Sequence, residues 1–164
     1  MNDEELFYDT SVLSNFARIE RLELLWKYSQ KVLTTREVIL EVEKGIAKKP
    51  QLKSIVDAKE NGKIQIISTS QEETILLMGQ LREEGVLGKG EISLIGIAKE
   101  REAIFISDDK GATNKAKSLG IKVLHNVQYR DTVTILKTLL KDGIIEQAEY
   151  KLIQKLLKDN NFIF

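Results

Sequence analysis

Between Leu87 and Asp109 the chain reads LGKGEISLIGIAKEREAIFISDD. No other stretch constrains the fold as much, because it sets carboxylates where a packed core normally admits none. After Glu91, Leu94, Ile95 and Ala98 follow at the i+3, i+4 and i+7 spacing of one helical face, so the spacing predicts a helix whose inward face carries Glu91. Gly88 and Gly90 loosen its start, and the charged run Lys99 to Glu102 closes it. Ala103 to Ile106 is a short continuous apolar run, rich in β-branched and aromatic residues, that suits a central strand of a parallel sheet covered on both faces. It stops at Ser107, Asp108 and Asp109. Acids on an inward helix face and at the carboxyl end of a buried strand are costly unless something neutralises them, and the pattern points to a metal site.

The rest of the chain repeats the alternation of strand and helix. Leu6 to Tyr8 predicts a first strand that ends at Asp9, after which Thr10 or Ser11 can cap a helix carrying Val12, Leu13 and Phe16. A helix over about 20–28 follows, with Trp26 expected in the core, and then a strand over 31–33. Thr34 and Glu37 fit a capping box for a helix through Val38, Glu41 and Ile46. Pro50 opens another helix to about Lys59, and Ile64 to Ile67 is a third strand. A helix over about 71–84 looks like packing. After the central stretch, 113–119 predicts a short helix and 121–124 a fifth strand, with His125, the only histidine, given a structural or rim role. Such repetition predicts a parallel sheet with helices on both faces. Beyond it, Val133, Leu136, Leu139 and Leu140, then Leu152, Ile153, Leu156 and Leu157, give two amphipathic helices that break near Asp142 and Gly143.

At 164 residues the chain is expected to form one domain, a core over about 5–125 with a helical extension over about 131–164. There is no cysteine, which excludes disulfide frameworks and zinc ribbons. The acidic start MNDEELFYDT lacks the marks of a secretory signal, and no apolar run approaches the roughly 20 residues of a membrane span. A cytosolic protein without membrane contact is the expectation. Basic and acidic residues balance at 25 each, so any basic surface must be local.

Open parallel sheets bind ligands beyond the carboxyl ends of their strands, where strand order reverses. Asp9 follows the first strand, and Asp108 and Asp109 follow the fourth. If those strands are neighbours, the acids converge with Glu91 and with Glu41, although Glu43 is nearly as plausible as Glu41 on spacing alone. Carboxylates gathered without cations would hold one another's protons, and hard divalent ions relieve this. Oxygen ligands without His or Cys favour Mg²⁺ or Mn²⁺, and two such ions can clamp a phosphodiester. Each acid by itself also has a plain reading as a solvated charge or a helix cap. Gly88-Lys89-Gly90-Glu91 does not fit a phosphate-cradling loop.

Four blocks of the chain together resemble the PIN domain family, the metal-dependent nuclease fold that includes the VapC-type toxins. YDTSVLSNF (8–16) looks like its opening motif, with Asp9 as the first acid and Ser11 as its polar companion. VILEVEKG (38–45) is similar to the helix of the second acid and selects Glu41. LGKGEISLIGIAKE (87–100) places the third at Glu91. FISDDKGATNKAKSLGIKV (105–123) is the closest match: Ser107-x-Asp109 fits the family's Thr-x-Asp, making Asp109 the fourth acid and Asp108 a neighbour. The resemblance implies a three-layer α/β/α sandwich around a parallel five-stranded sheet in the order 3-2-1-4-5, with C-terminal helices added. It implies cleavage of single-stranded RNA with Mg²⁺ or Mn²⁺, often by a homodimer and, for toxins, with an antitoxin partner. On that reading Asp9, Glu41, Glu91 and Asp109 are catalytic, and Asp9, Glu91, Asp109 and the neighbouring Asp108 hold metal. Ser107 supports them, Ser11 positions water at the metals, and Lys89, Lys110, Lys115 and Lys117 guide phosphates at the rim. The Glu91 position is more often Asp in toxins, and the tail from Asp131 to Phe164 is similar to that of an extended prokaryotic PIN branch.

Two other functions are weighed beside the ribonuclease. One is a PIN fold that holds RNA or a protein without turnover and docks through its C-terminal helices. The other is a phosphotransfer receiver, which would need paired acids at the first strand, where Asp9 has only Tyr8 and Thr10 beside it.

Overall fold

The structure, a computed structural model, describes residues 4–124 and 130–164; His125 lies outside them. Five short strands, β1 (Leu6–Tyr8), β2 (Val32–Thr34), β3 (Ile64–Ile66), β4 (Ile104–Ile106) and β5 (Lys122–Val123), form one parallel sheet in the order β3-β2-β1-β4-β5. β1 is central, with Phe7 opposite Leu33 on one side and Phe105 on the other. Successive strand residues point to opposite faces, and Phe7 and Tyr8, like Phe105 and Ile106, are all fully buried, so helices cover both faces of the sheet. The order reverses at β1, which sets the carboxyl ends of β1 and β4 side by side in register, Tyr8 opposite Ile106.

The helices are α1 (Thr10–Arg18), α2 (Leu24–Tyr28), α3 (Arg36–Gly45), α4 (Lys53–Glu60), α5 (Glu72–Glu84), α6 (Lys89–Arg101), α7 (Lys110–Ser118), α8 (Asp131–Lys141) and α9 (Gln147–Asp159). Pro50 opens a single 3-10 turn over Pro50–Leu52 before α4, where its missing N–H costs nothing. α6 packs on α3, α5, β1 and β4, and its middle is buried from Ile92 to Ala98. α5 comes close to α6 at Gly96, where a Cβ would lie 2.8 Å from Met78 Cε. α8 packs on α1, α2 and α9, and Gly143, at φ 72°, turns the chain between α8 and α9 as the sequence anticipates. Among the described residues, no helix is long and apolar enough to cross a membrane.

Several boundaries shift from the sequence reading, each for a local reason. Thr34 does not cap α3: it closes β2 and donates its hydroxyl to the Tyr8 carbonyl at 2.8 Å, and Thr35 caps the helix by accepting from the Val38 amide. α1 is capped by Asp9 itself rather than by Thr10 or Ser11. α7 starts at Lys110, not Thr113, because Asp109 accepts from the Ala112 amide at 2.8 Å and so fixes the first turn. Trp26 is half-buried at the edge of the core, with its indole N–H on the Lys63 carbonyl at 2.7 Å.

Candidate functional site

The carboxyl ends of β1 and β4 carry Asp9 and Asp109 as the caps of α1 and α7, so the turns that start two helices also present two acids. α3 and α6 bring the others. Their starts are locked by a 2.7 Å contact between the Thr35 and Ser93 hydroxyls, and Ser93 in turn donates to the Gly90 carbonyl at 2.7 Å. Glu41 then reaches across both neighbours. Its Oε1 accepts from the Gly90 amide at 3.0 Å and its Oε2 from the Thr10 hydroxyl at 2.8 Å. Gly90 is glycine for want of space: a Cβ there would sit 2.8 and 2.9 Å from the two Glu41 oxygens. Glu43, the competing candidate, is exposed.

Asp9 is 3% exposed. It accepts from the Thr10 amide and the Ser107 hydroxyl, each at 2.7 Å, and from the Ser11 hydroxyl at 3.4 Å. Glu91 accepts from the Gly88 amide at 3.1 Å. Burial pushes Asp9 up to about 7, and the charges of Glu91 and Glu41 push the same way against the Ser107 and Thr10 hydrogen bonds. Burial also raises Glu91, with the charges of Asp109 and Glu41 adding to it. Asp9 thus feels the charges of Glu91 and Glu41, and Glu91 those of Asp109 and Glu41. Every hydrogen bond they accept comes from a neutral amide or hydroxyl, and among the described residues none of the ion pairs includes any of them. Among the described residues, no three acidic side chains stand close enough together to hold an ion as they are placed.

Asp108 is not brought to this group, contrary to its expected place among the metal ligands. Its carboxylate accepts from Asn15 Nδ2 at 2.7 Å and from the Thr132 amide and hydroxyl at 2.9 and 2.6 Å, which ties it to α1 and α8 instead. Ser11 braces the turn, accepting from the Asp108 amide at 3.0 Å. Of the rim lysines, Lys115 is paired with Glu84, 2.9 Å away, whereas Lys110 and Lys117 line a cavity of about 920 Å³ that opens beside Asp109 and also receives Arg130 and Lys137 from the α8 side. Lys89 is the exposed first residue of α6.

Three contributors escaped the sequence reading: Thr10, which touches Asp9 and Glu41; Gly90 as the seat of Glu41; and Asp131, buried beside Ser107. Only Thr10 left a signal, as a hydroxyl directly after the first acid.

A family model for PIN domains matches residues 6–163. The chain belongs to the PIN domain family. The match takes in α8 and α9, so the C-terminal helices are part of this PIN domain's family pattern. A comparison with curated proteins finds no match.

Proposed function

We propose that this PIN domain is a Mg²⁺- or Mn²⁺-dependent endoribonuclease acting on single-stranded RNA. The observation that carries the reading is the acidic pocket at the β1/β4 reversal, where burial and the charges of neighbouring carboxylates raise the proton affinity of Asp9 and Glu91 and where, among the described residues, no ion pair includes Asp9, Glu41, Glu91 or Asp109. An all-oxygen donor set of this kind fits a hard divalent cation. Asp9, Glu91 and Asp109 would hold it, and Glu41 completes the set, steadied by Thr10 and Gly90. Bound there, the cation supplies activation of water and neutralisation of charge at the phosphate. The Ser107 hydroxyl keeps Asp9 aimed. Lys110, Lys117, Arg130 and Lys137 offer phosphate contacts along the cavity beside Asp109, which Asp108 and Asp131 also line.

The non-catalytic alternative gives the C-terminal helices a docking role; Ile135, Leu136, Leu139, Ile153 and Leu157 of their apolar stripes are buried inside the molecule, whereas Leu152 stays exposed.

Calorimetry of Mn²⁺ binding to the wild type and to Asp109→Asn, without RNA, tests the pocket; binding that the variant loses is expected. Cleavage of single-stranded RNA with Mn²⁺ then tests the activity. Asp9→Asn should fold and show no metal-dependent cleavage, and cleavage at the wild-type rate in that variant would sink the proposal.

A further inference from the structure

The turn at the end of β4 is fastened from behind by α8. The Ser107 amide donates to Asp131 Oδ2 at 2.8 Å, and in the opposite direction the Thr132 amide donates to Asp108 Oδ1 at 2.9 Å. Two adjacent residues of the turn thus exchange backbone-to-carboxylate bonds with the first two residues of α8. Such reciprocity fixes both position and direction of the turn, as a capping box does for a helix start. On its other side, Ser107 organises the pocket. Its hydroxyl donates to Asp9 Oδ2 at 2.7 Å and accepts from the Asp109 amide at 3.0 Å. A shift of the Ser107 backbone would therefore move the holder of Asp9 and the cap residue Asp109 together.

We propose that Asp131 is a positioning residue of the acidic pocket, gripping the Ser107 amide so that the Ser107 hydroxyl stays between Asp9 and Asp109. Its activity readout rests on the ribonuclease reading, but its structural readout does not. Asp131 is 4% exposed and in the first turn of α8, where a carboxylate is favoured by the helix amides. It spends its acceptor on a strand end 24 residues earlier in sequence. The extension beyond the sheet is on this view part of the catalytic apparatus without touching the reacting atoms.

Three variants separate positioning from plain stability. Asp131→Ala removes the acceptor, Asp131→Asn keeps an acceptor oxygen without the charge, and Thr132→Val removes the hydroxyl bond to Asp108 while leaving the Ser107 bond in place. With Mn²⁺ and single-stranded RNA, Asp131→Ala should lower kcat by about tenfold to a hundredfold at nearly constant KM, the range seen when outer partners of a metal site are lost. Asparagine should restore most of that loss, and Thr132→Val should lower the melting temperature without lowering kcat. Equal kcat losses in Asp131→Ala and Thr132→Val, or no rescue by asparagine, would overturn the proposal. Amide hydrogen exchange in EDTA requires neither activity nor a foldable alanine variant. Ser107 and Asp109 should be protected in the wild type and in Asp131→Asn, and exchange at an open-loop rate in the wild type would overturn it too. A wild-type chain that protects both amides but neither binds Mn²⁺ nor cleaves RNA would sink the ribonuclease reading and support the clasp.

Discussion

A carboxyl that holds its proton to about 7 when folded, against an ordinary value of 3.8, makes the fold more stable in acid. For Asp9 that contribution is complete below 3.8 and is lost as pH rises through about 7, where the buried group must ionise beside Glu91 and Glu41. Asp131, also pushed up to about 7 by burial, has the same sign. The metal-free protein should therefore lose thermal stability between about pH 4 and pH 8. Asp9→Asn should flatten part of that loss, and Mn²⁺ should reverse it at pH 8 in the wild type only; a melting temperature that rises steadily to pH 8 in EDTA would contradict the pocket's electrostatics. Gly90 offers a second test, because its missing Cβ is what leaves room for the Glu41 carboxylate. The atoms in the way are the end of a flexible side chain, so Gly90→Ala should displace Glu41 at little cost in stability while weakening Mn²⁺ binding or cleavage by about tenfold or more. Residue types and spacing singled out Asp9, Glu91 and the pair Asp108 and Asp109, and the family resemblance selected Glu41 over Glu43 and Asp109 as the fourth acid. They could not show that Asp108 is tied to Asn15 and Thr132, because that depends on a helix more than twenty residues further along.

Helix starts are where local chemistry and the pocket meet. Asp109 serves α7 as its cap and the pocket as an acid, and the two roles separate by substitution. Asp109→Asn or Asp109→Ser keeps a capping oxygen and should hold stability near that of the wild type, whereas Asp109→Ala should cost about 1 kcal/mol. All three should lose Mn²⁺ binding, so denaturation and calorimetry on the same variants should give different rank orders. Helices were legible in the sequence wherever apolar residues recur at helical spacing, as in α1, α3, α8 and α9. Their first residues were less so. Thr34 and Thr35 are both competent caps, and the choice falls to Thr35 because pairing of Thr34 with Ile66 keeps Thr34 in the sheet and its hydroxyl reaches Tyr8.

The two C-terminal helices belong to the same core as the sheet. α8 alone buries Val133, Ile135, Leu136 and Leu139, on the order of 10 kcal/mol of transfer free energy, which is comparable to the whole net stability of a domain. Deleting residues 131–164 should therefore yield an aggregating or unfolded chain rather than a soluble, active core, as circular dichroism and size-exclusion chromatography would show. A soluble, cleaving fragment would refute both the packing argument and the role given to Asp131.

Taken by itself, the sequence determined the alternation of strands and helices, the buried central strands and the acids at their ends, since hydrophobic period and residue type are local properties. Its family resemblance supplied the strand order. Only the tertiary structure decided that the carboxylates of Asp9, Glu41, Glu91 and Asp109 come close enough to couple, that Asp108 is tied to Asn15 and Thr132, and that α8 holds the turn between Asp9 and Asp109. Those facts depend on side-chain direction and on contacts between residues far apart in the chain, which no spacing rule encodes.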